Sequence, residues 1–118
     1  MARRDPSITL RQIIECIDQA RELVDGKERG DLDCDTTFRL ASERAVEVIG
    51  EAMTRLPDPV REAHPEVPWH RVIGMRNWLA HGYDMVDLDV LWDVIARRLD
   101  ELEAMIRPIL DSFKPSDS

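Results

Sequence analysis

Apolar residues recur along this chain at steps of three and four, the spacing of one face of an α-helix. Leu10, Ile13, Ile14, Ile17, Ala20 and Val24 mark the first such face. Asp5 and Ser7 are cap candidates before it, Pro6 is tolerated in a first turn, and Asp25-Gly26 ends it. The pattern predicts a helix over residues 7–25. Lys27 to Asp35 is polar and reads as a loop, with Asp35-Thr36-Thr37 offering the next caps. Phe38, Ala41, Ala45, Val48, Ile49, Ala52 and Leu56 form the second stripe, which Pro57-Asp58-Pro59 stops. Its alanines, and Gly50 in mid-pattern, suggest a neighbouring helix at close range. Val60 to Val67 lies among prolines and is expected to form at most a helical turn. A third helix begins at Trp69, carries Val72, Met75 and Leu79 on one face, and ends at Gly82. Asp84 to Asp87 reads as a turn. Leu88, Leu91, Ile95, Leu99, Leu102, Ile106 and Leu110 then mark a long last helix to Phe113, with Pro108 expected to bend it or mark its fraying end. Residues 114–118 read as a disordered tail.

Four amphipathic helices with short connections predict an all-α fold, an antiparallel up-and-down bundle of four to five helices in one domain spanning residues 1–118. Composition agrees. The 118 residues suit a single domain, and 43% hydrophobic content suits a small packed core. Five glycines and no sustained alternation argue against an all-β fold. No run approaches the ~20 apolar residues of a membrane span. The start, Met1-Ala2-Arg3-Arg4-Asp5-Pro6, has no apolar core after its arginines and does not read as a signal peptide. Cys16 and Cys34 form no ligand pattern, so free thiols in a reducing cytoplasm are the expectation. The second and last helices are apolar enough to suggest a dimer face.

Charge narrows the search for chemistry. The net charge is -8, a poor basis for general nucleic-acid binding, which depends on clustered Lys and Arg. Yet Trp69 to Tyr83 contains no Asp or Glu, and it holds Arg76-Asn77-Trp78-Leu79-Ala80-His81-Gly82-Tyr83. A fixed cation, an amide, an imidazole and a phenol fall within eight residues of a locally positive island. Asn77 and His81 share a helix face at i, i+4. Arg76 lies about 140° from His81 on an ideal helix, within reach of a long side chain. The helix C-terminus favours a protonated His81. Protonated, it is a candidate general acid; neutral, a general base. The bland alternative has His81 and Tyr83 as ordinary side chains near a helix end, with Arg76 paired to Asp84 or Asp87.

Other signals are weaker. His64 and His70 flank a proline-bounded turn and fit no zinc spacing with His81, so no metal site is expected. Trp69 and Trp78 suit base stacking in principle, but packing explains them as well, and Trp92 likewise. Ile49-Gly50-Glu51-Ala52 reads as a packing site with Glu51 on its exposed flank. There is no phosphate-binding glycine loop, no Ser/His/Asp order and no CxxC.

The chain resembles the HEPN superfamily, and within it the HepT-like branch. The branch's Arg-x4-His-x-Tyr motif is matched by Arg76, His81 and Tyr83. Trp69-His70-Arg71-Val72-Ile73-Gly74-Met75-Arg76-Asn77 resembles the family's approach to that motif. Ala45-Val46-Glu47-Val48-Ile49-Gly50-Glu51-Ala52 resembles its second-helix signature, and Val86-Asp87-Leu88-Asp89-Val90-Leu91-Trp92 the opening of its last helix. The likeness spans about Ile8 to Leu110. It implies a dimeric helical bundle with both motifs lining one cleft, acting as a metal-independent endoribonuclease toxin without a cofactor. It implies RNA as substrate and, as partner, an MNT-type nucleotidyltransferase antitoxin that transfers AMP to Tyr83. Arg76 and His81 would be catalytic and Asn77 supporting. The alternative is a non-catalytic helical partner of such a nucleotidyltransferase.

Overall fold

The computed structural model describes residues 5–81 and 86–113. The described residues are helical, with no strand among them. Helix α1 spans Pro6–Val24. Asp5 caps it by accepting a hydrogen bond from the Ser7 backbone N–H at 2.9 Å, and Pro6 occupies the first turn. Beyond its end Gly26 takes a positive φ of 77°, a turn geometry that favours glycine. Helix α3, Thr36–Thr54, is capped by Asp35, whose carboxylate accepts from the Phe38 N–H at 3.0 Å.

Two connections carry more structure than expected. The predicted loop 27–35 contains a one-turn helix α2, Asp31–Cys34, whose Leu32 is fully buried. One apolar side chain among acids offers no periodicity to read. The proline-bounded stretch holds helix α4, Asp58–Ala63, which starts two residues earlier than the turn expected there. Pro57 and Pro59 stop α3, and Pro59 sits in the first turn of α4, where its missing N–H costs nothing.

Helix α5 is Trp69–His81. The final rod runs as α6 (Leu88–Asp93), a widened π turn (Val94–Arg98) and α7 (Leu99–Ser112). Asp87 caps α6 by accepting from the Asp89 and Val90 N–H groups. Helix α7 continues through Pro108 and buries Ile109 and Leu110 beyond it. The widened turn keeps both Ile95 and Leu99 inward.

The core lies between α1, α3 and the final rod. Leu10, Ile13, Ile17, Val46, Ile49, Met53, Leu91 and Ile106 are fully or almost fully buried. Helix α1 packs on both α3 and α7, and α5 lies on α3. The α1–α7 seam is tied by Glu103, which accepts from Arg21 of α1 and, at 2.7 Å, from Arg107 one turn on. Trp69 is buried as packing, its indole N–H donating to the His64 carbonyl at 2.9 Å. Among the described residues, no helix is long and apolar enough to cross a membrane. The expected tail 114–118 lies outside the described residues.

Candidate active site

The site starts from a glycine. A Cβ on Gly50 would stand 2.4 Å from Arg76 Cβ and 2.9 Å from the Val72 carbonyl oxygen. Separations this short are forbidden between non-bonded atoms, so only glycine lets α3 and α5 approach this closely. At this contact the base of the Arg76 side chain rests on α3.

That placement settles Arg76's partners. Its Nη1 donates to Asn77 Oδ1 at 2.9 Å, and its Nη2 points to Glu51 Oε2 at 3.4 Å. Its Nε is buried and has no hydrogen-bond partner among the described residues. The side chain is 28% exposed and that of Glu51 is 41% exposed, so the guanidinium borders solvent. The sequence offered Asp84 or Asp87 as alternative partners. Asp87 instead spends its carboxylate capping α6, and Asp84 lies outside the described residues. Glu51, read from sequence as an exposed flank, is the residue that sequence reasoning missed. A glycine followed at once by a carboxylate, on the helix facing an arginine, was the available signal.

Asn77 is exposed beside Arg76. His81 is the last residue of α5, five positions after Arg76, so its backbone is fixed by the helix. The position of its side chain, and all of Tyr83, lie outside the described residues. The structure therefore brings together Arg76, Asn77 and Glu51, and sets His81 at the helix end beyond them.

The remaining histidines serve elsewhere. His64 Nδ1 lies 3.5 Å from Glu66, within the turn after α4, and His70 is exposed at the start of α5. Half-buried Val72, Ile73, Met75, Trp78 and Leu79 line α5. A groove of about 270 Å³ runs between α5 and the final rod, floored by Val46, Ile49 and Leu102 and rimmed by Arg71 and Arg98.

A fork-shaped cation at a solvent border is suited to holding an oxyanion of planar or tetrahedral geometry. Comparison with known proteins agrees on the kind of protein. The sequence pattern of the Ribonuclease HepT-like family matches residues 13–109. The chain belongs to the HepT-like ribonuclease family. A relative in Caldanaerobacter subterraneus, named as a candidate RNase, is 34% identical over 111 residues, covering 94% of this chain and 99% of its own. A probable ribonuclease HepT of Thermococcus cleftensis is 36% identical over 94 residues, covering 76% of this chain and 86% of its own. A third relative, from Methanocaldococcus jannaschii and also named as a candidate RNase, is 28% identical over 117 residues, 99% of this chain. No solved structure gives a significant match.

Proposed function

We propose that this HepT-like chain is an endoribonuclease that cleaves RNA without a metal ion, and that it acts as the toxin of a toxin–antitoxin pair. The observation that carries the reading is the built-in Arg76. The base of its side chain is anchored over Gly50, the side chain borders solvent, and it stands within one helical turn and a half of His81. RNA supplies its own nucleophile. The ribose 2′-oxygen attacks the adjacent phosphorus, its proton passes to a base, and the departing 5′-oxygen takes a proton from an acid. The products are a 2′,3′-cyclic phosphate and a 5′-hydroxyl. Arg76 would hold two phosphoryl oxygens as charge grows on them. His81 is the proton carrier of the stretch, a role typically worth ~10²–10⁴-fold. Two subunits sharing one cleft would supply two His81 side chains, one base and one acid. AMP transferred to Tyr83 by a cognate MNT-type nucleotidyltransferase would place a bulky anion two residues from His81 and exclude RNA.

The test is cleavage of a defined RNA by the isolated chain in EDTA, alongside His81→Ala, after intact mass has shown Tyr83 unmodified. Cyclic phosphate formed by the native chain and lost in the variant supports the reading. Absence of cleavage by unmodified, dimeric protein on several RNAs supports the second reading, a non-catalytic partner of the nucleotidyltransferase. The net charge of -8 and the carboxylate beside Arg76 are what favour that reading.

A further inference from the structure

We propose that Glu51 is a positioning residue for Arg76, which aims the guanidinium at a phosphodiester oxygen and at the same time holds down its affinity for the resting substrate. The inference rests on the ribonuclease reading for its substrate, and on the geometry of α3 and α5 for its mechanism.

Three observations carry it. Gly50 brings the two helix backbones together at Arg76, and Glu51 is the next residue, so the carboxylate is delivered to the guanidinium by the helix crossing itself. The fork is then held at both ends, by Asn77 on Nη1 and by Glu51 on Nη2. Finally, the Glu51 contact is 3.4 Å, longer than the ~2.7–2.9 Å of a tight charge-assisted bond. A loose partner fixes direction and still yields space. An incoming phosphate oxygen can take the Nη2 hydrogen that Glu51 leaves free, at the solvent border and without evicting the carboxylate, while the Nε hydrogen stays buried against the protein.

Glu51 then acts in two opposed ways. Its charge repels the phosphate of bound substrate and raises KM. Its acceptor oxygen keeps the fork aimed, so the charge growing on the phosphoryl oxygens meets it without rearrangement. The two effects separate by substitution. Glu51→Gln keeps an acceptor and removes the charge. Glu51→Ala removes both.

The experiment uses the full chain and two readouts. The first is steady-state cleavage of a defined RNA. Glu51→Gln is expected to lower KM by about 2–5-fold, the scale of a partly exposed ion pair, with kcat within about twofold of native. Glu51→Ala is expected to lower kcat by about 10–100-fold through misaimed phosphate contact. The second readout needs no activity. The Arg76 Nε–H resonance, assigned by its loss in Arg76→Lys, is titrated with inorganic phosphate. It is expected to shift in the native chain, and to saturate at about 2–5-fold lower phosphate in Glu51→Gln. If the native chain cleaves no RNA, the ribonuclease reading falls and the titration alone decides. Equal titration of native and Glu51→Gln, or Gln and Ala variants with the same kcat and KM, overturns the proposal.

Discussion

Gly50→Ala is the sharpest perturbation the structure offers. The added methyl carbon would sit 2.4 Å from Arg76 Cβ and 2.9 Å from the Val72 oxygen. Carbon atoms in contact settle ~3.5–4.0 Å apart, so α5 must retreat from α3 by roughly 1–1.5 Å. Neither neighbour is the free end of a flexible side chain, so the strain has no cheap outlet. Overpacking of this kind costs ~1–3 kcal/mol, against which alanine recovers up to ~1 kcal/mol of helix propensity. With the full propensity gain counted, the net expectation is a loss of up to about 2 kcal/mol. For a domain of this size each kcal/mol lowers Tm by roughly 3–6 °C. Gly74→Ala is the matched control. It lies in α5 itself, with nothing within 4 Å of its missing Cβ, so only the propensity gain remains. It is expected to stabilise by ~0.5–1 kcal/mol. Urea unfolding of both variants, followed by circular dichroism, gives the two signs. RNA cleavage adds a second check, because a ~1 Å retreat of Arg76 is expected to cost up to ~10²-fold in rate for Gly50→Ala. Stability changes of the same sign in the two variants would refute the helix crossing described here.

Three further outcomes follow from buried and half-buried polar groups. Ser42 is fully buried in α3, and its hydroxyl has no partner among the described residues, so Ser42→Ala is expected to raise stability by ~1 kcal/mol in denaturant unfolding. Glu103 is nearly buried between Arg21 and Arg107, so Glu103→Ala should cost ~1–3 kcal/mol in the same assay, with Glu103→Gln losing less. Burial, then the nearby Glu15 carboxylate, pushes the Cys16 thiol up from its ordinary 9.0, with Arg55 pulling the other way. The folded state thus holds the thiol proton more tightly than the unfolded chain. That contribution is fully present below about pH 9 and is lost as pH rises through the raised folded value. Stability of the native chain should therefore fall more steeply above pH 9 than that of Cys16→Ala, measured by urea midpoint against pH.

The helices were legible in the sequence to the extent that their burial is one-sided. In α1, Leu10, Ile13, Ile14, Ile17 and Ala20 are all buried as the spacing predicts. The final rod is as clear, from Leu91 to Leu110. The α3 stripe was read partly off its axis. Ala41, Ala45 and Val48 are half-buried, whereas Ser42, Val46 and Met53 are buried with Phe38 and Ile49. A helix covered by α1 on one side and α5 on another has two buried faces, and a single stripe cannot describe it. Short α2 and α4 gave too few turns to show a period. Of the candidate site, Arg76 and Asn77 are hydrogen-bonded neighbours, while Glu51 was legible only as the carboxylate after Gly50, because its contact with Arg76 joins residues far apart in sequence.

That contact bears on the phosphate site proposed for this acidic chain. Net charge acts through solvent, where screening reaches only ~8–10 Å. What a phosphate meets at close range is the local arrangement of N–H groups. Arg76 has one carboxylate at 3.4 Å, an amide at 2.9 Å and an unpaired buried Nε. Burying that Nε without a partner among the described residues is unfavourable, so its position is imposed by the packing of α5 on α3. The crossing at Gly50 holds the N–H in place whether or not a ligand is bound. Elsewhere the carboxylates answer to other arginines: Asp89 to Arg29, Asp93 to Arg98, and Asp100 and Glu103 to Arg21. Much of the negative charge is thus neutralised within its own helices and seams. The acidity of the whole chain and the cationic character of the α5 face belong to different length scales, and the binding proposed at Arg76 belongs to the shorter one.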